Sequence, residues 1–222
     1  MIETIKDFEV MAPVGSRESL AAALQAGADS IYFGIERLNM RAHSASTFTI
    51  DDLRDIAQLC EQQGVKTYLT VNTIIYGEDL PLMRQIIDAA KEAGISAVIA
   101  SDVAVMQYCR EVGQEVHLST QLNISNIEAL KFYAQFADVV VLARELNMDQ
   151  VADIYRQVEE QHVCGPSGQL VRIEMFNCVE RCTSWPTSRQ YCITATSEAM
   201  TADMPASCAA SMISRISGRS SP

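Results

Sequence analysis

The sequence lacks the patterns that identify several large classes of protein directly. It contains no GxGxxG or GxxxxGK[ST] phosphate-binding turn and no HExxH or GxSxG hydrolase motif. No apolar run approaches 18 residues, and the opening MIETIKDFEV has no apolar core of the kind found in signal peptides. We therefore expect neither a membrane span nor a secretory signal.

Positive charge is also scarce. The 222 residues include 17 Lys and Arg against 28 Asp and Glu, which gives a formal net charge of −11. Because a surface of this sign repels phosphate backbones, we expect no DNA and no membrane partner. Seven Cys without a secretory signal indicate a reducing compartment, so we expect a cytoplasmic protein. Neither the net charge nor the cysteine content indicates the oligomeric state.

Strand and helix patterns alternate over residues 1–177. Runs at 8–14, 30–35, 66–72, 97–101, 115–120, 138–143 and 169–177 predict seven strands, with a helix between each pair. Regular alternation indicates parallel strands joined by right-handed crossovers. The single Gly of the first turn, APVGS, favours a barrel over a doubly wound nucleotide-binding sheet. Since a complete barrel has eight units, we predict an α/β fold, a TIM-barrel-like (β/α) domain that is incomplete at about seven strands.

The last 45 residues, 178–222, have a different composition. They contain no Leu, no Lys and nine Ser, whereas residues 1–177 contain 14 Leu. No period of 3.6 or 2 residues is sustained. We predict an irregular tail at 178–222, either disordered or produced by a reading-frame slip near Asn177. An incomplete barrel would leave the edges of its sheet unpaired, so we also expect a tendency to aggregate.

Several predicted strands carry polar residues on one side. Alternation places Tyr68, Thr70 and Asn72 on the inner side of the third strand, His117 and Ser119 on that of the fifth, and Arg172 and Glu174 on that of the seventh. Buried polar groups of this kind must satisfy one another or a ligand, because each unpaired group costs about 1–3 kcal/mol.

Further polar residues gather where the strands end, which is the active-site face of barrel enzymes. We predict a substrate-binding site there, made of Asn72, Thr120, Gln121, Asn123 and Arg144. Amides and a guanidinium suit a small ligand with carboxylate groups. The alternative is an internal hydrogen-bond network that only closes the barrel.

No motif identifies catalytic residues. The weak candidates are His117, Arg144 and Glu145. His117 is two residues from Ser119 on one strand face, which allows but does not establish a nucleophile and base. Arg144 and Glu145 follow the sixth strand, where they could equally pair with each other. His43, in the loop after the second strand, is expected at the surface or the rim of the barrel.

Six of the seven Cys form two groups, and Cys164 lies alone in the loop VCGPSG. Cys60 and Cys109 occupy helical positions among apolar neighbours, as buried core thiols do. Cys178, Cys182, Cys192 and Cys208 are closer together and could bind zinc or an iron–sulfur centre, although they include no CxxC pair.

Five motifs in order carry a family resemblance. They are VMAPVGSRESLAAALQAGADSIYFGI, LNMRAHSASTFT, GVKTYLTVNTIIY, VHLSTQLNISN and VVLAREL. Over residues 8–177 the chain resembles the collagenase-like peptidase family, whose catalytic type is unassigned. The resemblance implies a TIM-barrel-like first domain and an enzyme acting on peptide or RNA.

The same resemblance implies two functions, prephenate-dependent, oxygen-independent hydroxylation of the tRNA wobble uridine or hydrolysis of collagen-type peptides. The altered sequence after residue 177 leaves a third alternative, a truncated non-catalytic remnant. Intact members of the hydroxylating branches carry an iron–sulfur cluster, which implies Cys182, Cys192 and Cys208 as candidate ligands here. In FNCVERC, Cys178 stands where the family has a His.

Overall fold

The barrel is built from strands that pair with their neighbours in sequence. The computed structural model describes residues 8–39, 48–177 and 191–195, and the strand order through these residues is closed, from β1 to β8. The strands are β1 (Phe8–Pro13), β2 (Ser30–Gly34), β3 (Lys66–Val71), β4 (Ala97–Ala100), β5 (Val116–Leu118), β6 (Val139–Val141), β7 (Arg172–Asn177) and β8 (Tyr191–Ala195). The helices are α1 (Arg17–Gln25), α2 (Asp52–Glu61), α3 (Leu80–Ala93), α4 (Val103–Val112), α5 (Ile127–Ala134) and α6 (Met148–Glu160).

The first seven strands are parallel, which confirms the predicted fold class. Each pairs with the next in register, from Met11 opposite Ser30 to Val141 opposite Glu174. All six predicted helices lie between them, so each crossover returns the chain to the same end of the barrel. The carboxyl ends of β1 to β7 therefore form one rim.

A short strand lies in the eighth position. β8 pairs antiparallel with both β1 and β7, so the described sheet has no unpaired edge and the expectation of open edges is wrong for this part of the chain. Tyr191, Ile193 and Thr194 are residue types that favour strands, but five residues are too few to show a sustained period. The rest of the predicted tail, 178–190 and 196–222, lies outside the described residues.

Capping residues that can be recognised in the sequence lie at the helix ends. Ser16 caps the start of α1, where its side chain accepts a hydrogen bond from the Ser19 backbone N–H. Gly94 and Gly113 follow α3 and α4 with φ of 79° and 71°, a left-handed conformation that Gly adopts without strain. These short turns fix where each following strand enters the sheet.

Apolar side chains pack on both faces of the sheet. Leu69, Val116 and Leu118 lie in the large cluster between the strands and the helices. A second cluster fills part of the interior and consists of Met11, Tyr32, Tyr68, Ala97 and Ile99. The predicted division of β3 and β5 into an outer apolar face and an inner polar face is confirmed.

Within the described residues, no helix is both long and apolar enough to cross a bilayer.

Candidate functional site

A cavity of about 100 Å³ lies at the carboxyl ends of the strands. Its apolar wall includes the side chains of Met11, Ile99 and Val141. Its polar lining comes from four parallel strands and the turns that follow them, namely Thr70, Asn72, Ser119, Thr120, Gln121, Arg144 and Glu174. A small cavity with an apolar wall and few convergent polar groups is the usual form of a ligand site.

The structure brings four of the five predicted binding residues to this cavity. Asn72, Thr120, Gln121 and Arg144 all line it. Asn123 does not, because the chain leaves the extended conformation after β5 and turns through residues 120–122. Asn123 ends that turn with φ of 51° and is exposed.

Ser119 holds this turn in place. Its Oγ accepts a hydrogen bond from the Gln121 backbone N–H at 3.4 Å, and Nδ2 of Asn72 donates to the same oxygen at 3.5 Å. The contact joins the end of β3 to the turn after β5, so the two amide-bearing segments keep a fixed separation. From the sequence, Ser119 was expected on the inner face of β5 and considered as a nucleophile beside His117, but not as a residue that orders this turn.

The two candidates that follow β6 separate. Both residues are exposed, but Arg144 lines the cavity and the adjacent Glu145 does not. The guanidinium therefore stands as the cationic group of the described cavity lining. Arg144 is itself engaged in an interaction within the structure.

His117 lies below the cavity in the barrel interior and is only 2% exposed. Its Nε2 is 3.4 Å from Oε1 of Glu115, and its Nδ1 is 3.8 Å from Oε2 of Glu174. Both imidazole nitrogens thus face carboxyl groups, which is not the arrangement of a base activating Ser119. The contact with His117 holds the pKa of Glu115 below its ordinary value, although partial burial opposes this shift.

Glu174 was predicted on the inner side of the seventh strand but was not included among the predicted binding residues. It lines the cavity, yet its side chain is almost fully buried, with the residue 1% exposed. The available signal was its inner position on β7, since a carboxyl group inside a barrel needs a partner or a function. We refer to Glu115, His117 and Glu174 as the axial triad.

A second polar cluster lies at the opposite end of the barrel interior. Glu9 accepts hydrogen bonds from Nζ of Lys66 at 2.6 Å and from the Tyr68 hydroxyl at 2.5 Å. Burial opposes ionisation of Glu9, but these two donors hold its pKa below the ordinary value. Burial and the neighbouring Glu9 charge raise the pKa of Tyr68, whose ring lies 4.6 Å from that of His117.

The two cysteines expected in the core are buried. Cys60 and Cys109 are buried in α2 and α4, and burial raises their pKa to about 11 and about 12. Cys182 and Cys208 lie outside the described residues, as does His43, and Cys192 lies within β8. Across 8–39, 48–177 and 191–195 there is no group of three His, Cys, Asp or Glu placed to hold a metal ion.

Comparison with known proteins identifies relatives. Residues 15–194 match the family described as Peptidase family U32. The chain is 67% identical over 172 residues to a collagenase of Porphyromonas gingivalis, covering 78% of this chain and 42% of the relative. It is 31% identical over 157 residues to tRNA hydroxylation protein P1 of Bacillus subtilis, covering 69% of this chain and 37% of the relative. The chain thus spans less than half of either relative.

The fold comparison agrees with the strand order described above. The structure of the U32 peptidase Mk0906 superposes with a TM-score of 0.56 at 16% identity, covering 66% of this chain and 63% of that one. At this level of identity the match shows a shared fold.

Proposed function

The chain belongs to peptidase family U32, and on that premise we propose that its barrel binds a small organic carboxylate for the prephenate-dependent, oxygen-independent hydroxylation of the tRNA wobble uridine. The observation that carries the proposal is the position of Arg144 in the cavity lining beside the amides of Asn72 and Gln121. A guanidinium and amide N–H groups are the donors that carboxylates accept most strongly.

Prephenate suits this cavity by its charge pattern. It is a dicarboxylate, so one carboxylate can pair with Arg144 while the amides donate to the other. The apolar wall at Ile99 and Val141 offers a surface for its ring. The relative named tRNA hydroxylation protein P1 supports RNA as the second substrate, although the net charge of −11 requires that RNA contacts lie in a local region or a further segment.

The direct experiment uses the full-length protein. Expressed in a bacterial strain that lacks wobble-uridine hydroxylation, it should restore the hydroxylated nucleoside in tRNA hydrolysates analysed by mass spectrometry. Restoration should require a prephenate supply in the same cells. Unchanged tRNA, together with calorimetry that shows no prephenate binding, would contradict the proposal.

The iron–sulfur cluster remains part of this proposal. Cys182, Cys192 and Cys208 are its candidate ligands, and a bound cluster would supply the redox chemistry of hydroxylation. Anaerobic purification should give a brown protein, and replacing Cys182 with Ser should remove the colour. A colourless full-length protein that binds prephenate stoichiometrically would show that the carboxylate site exists without a cluster.

Collagenolytic peptidase activity is the second candidate, and the 67% identity to a collagenase favours it. Gelatin hydrolysis by the full-length protein that survives chelators, and is lost in His117→Asn, would support this function. Since both nitrogens of His117 face carboxyl groups, the expected result for the described barrel is no hydrolysis. A protein that neither cleaves gelatin, binds prephenate nor modifies tRNA would match the remnant alternative.

A further inference from the structure

The axial triad extends between the two ends of the barrel interior. Glu115 stands just before β5 and is partly exposed, near Arg172, which approaches it at 3.3 Å. His117 is enclosed above it, and Glu174 lines the cavity above His117. The three side chains therefore lie one after another between solvent at the amino-terminal end of β5 and the cavity at the carboxyl ends of the strands.

His117 has an unsatisfied buried nitrogen. Its Nδ1 makes no hydrogen bond to any described residue, although His117 is only 2% exposed. The nearest carboxyl oxygen, Oε2 of Glu174, lies 3.8 Å away, slightly beyond hydrogen-bond distance. A buried polar atom in this state costs free energy, so its retention calls for an explanation.

We propose that Glu174 is the group that exchanges a proton with the ligand at the cavity floor, and that His117 is the positioning residue that shares this proton through Nδ1. The proton exchange between Glu174 and the ligand rests on the proposed function. The sharing of a proton between Glu174 and His117 does not depend on it.

The geometry defines where the proton moves. When the proton is on Nδ1 of His117, the Glu174 carboxylate accepts one proton from an acidic O–H or C–H bond of the ligand, and the electron pair of that bond stays on the ligand. When the ligand anion takes a proton back, Glu174 returns it. No oxidant, reductant or further reactant is needed. Glu115 lies 3.4 Å from Nε2, so a carboxyl group faces each nitrogen of the imidazole ring.

Several other charged groups lie near the triad, and one of them, Arg144, lines the same cavity as Glu174. Glu9 and Lys66 form an ion pair of their own at 2.6 Å, and the Tyr68 hydroxyl donates to Glu9. Arg172 approaches Glu115 rather than the Glu174 end. The Tyr68 ring packs against His117 and restricts its rotation. The shared proton is therefore the link between His117 and the cavity.

Infrared spectroscopy of the full chain without ligand tests the shared proton. In His117→Gln the amide cannot take the proton, so the proposal requires the proton to stay on Glu174. We expect a carbonyl stretching band of a protonated carboxyl group at pH 7 that is stronger than in the wild type. The band should vanish in His117→Gln/Glu174→Gln and persist in His117→Gln/Glu9→Gln, which removes another buried carboxyl group.

Absence of the band in His117→Gln, or its persistence without Glu174, would overturn the proposal. Circular dichroism and a cooperative unfolding transition check that each variant folds, and His117→Asn replaces any His117→Gln protein that does not.

Calorimetry with prephenate tests the exchange with ligand separately. Titrations in two buffers of different ionisation enthalpy report protons taken up or released. We expect proton exchange in the wild type and none per bound prephenate in Glu174→Gln, whatever the affinity of that variant. Equal proton exchange in both proteins would overturn the role of Glu174. If neither protein binds prephenate, the proposed function fails, while the infrared result still decides whether the proton is shared.

Discussion

Asn39 occupies the space that a side chain at Gly34 would need. A methyl group at Gly34 would lie 2.3 Å from Cγ of Asn39, well inside van der Waals contact. Asn39 is buried, and its Nδ2 donates hydrogen bonds to the carbonyl oxygens of Ile35 and Glu36 at 3.0 and 3.1 Å. Since Gly34 lines the cavity, this contact shapes the rim where β2 ends.

The first prediction concerns that contact. Gly34→Ala should lower the free energy of unfolding by about 1–3 kcal/mol, because the added methyl group must displace a hydrogen-bonded buried amide. Gly15→Ala is the matched control, since a methyl group there meets no atom within 4 Å. Urea unfolding measures both. Equal transition midpoints for the two variants would show that Asn39 moves away without cost.

The second prediction concerns acid stability. The pKa of Glu9 is lowered in the folded protein, so its contribution is present above the unfolded value of 4.5 and is lost as pH falls through the folded pKa. Tyr68→Phe removes one donor to this carboxylate and should cost about 1.5–3 kcal/mol at pH 7. The difference from wild type should shrink as the pH is lowered below about 4.5.

Tyr108→Phe provides the control for that comparison. Its hydroxyl also donates to a carboxylate, Asp88, at 2.9 Å, but in a solvent-exposed setting. Guanidinium unfolding curves from pH 3 to pH 7 should show little change for this variant. A Tyr68→Phe effect that is the same at every pH would contradict an ionised Glu9 as the acceptor.

The third prediction concerns thiol reactivity. Because the thiolate is the reactive form, the raised pKa and burial of Cys60 and Cys109 should protect both from alkylation at pH 8. Cys164, which is partly exposed in the loop before β7, should be labelled at least about tenfold faster. Peptide mass spectrometry after timed iodoacetamide treatment gives the rates. Equal labelling of Cys109 and Cys164 in folded protein would show that α4 opens readily.

The sequence was sufficient for the parallel part of the fold. Strand runs such as KTYLTVN and caps such as Ser16 are local signals, and the structure places β3 and α1 where those signals indicate. β8 was not predicted, because its five residues are stabilised by pairing with β1 and β7 rather than by a local period. Pairing partners distant in sequence leave no signal in a single segment.

The site was predictable only as far as strand alternation extends. Asn72 directly follows β3 and Arg144 lies three residues after β6, so both reach the cavity at the carboxyl ends of the strands. Asn123 does not, since the turn at residues 120–122 changes the direction of the chain. The contact between His117 and Glu174 joins residues from β5 and β7. The distance between these two side chains depends on how the barrel closes. The alternation of residues within one strand does not determine that closure.

The central claim is that Arg144 pairs with a carboxylate in the cavity, and prephenate affinity measured by isothermal titration calorimetry tests it most directly. We expect Arg144→Gln to weaken binding by about tenfold or more, because a charge-assisted hydrogen bond is worth about 1.5–3 kcal/mol. Arg156→Gln, which removes an exposed arginine of α6 paired with Asp153, should leave affinity unchanged. Equal affinities for wild type, Arg144→Gln and Arg156→Gln would contradict the claim.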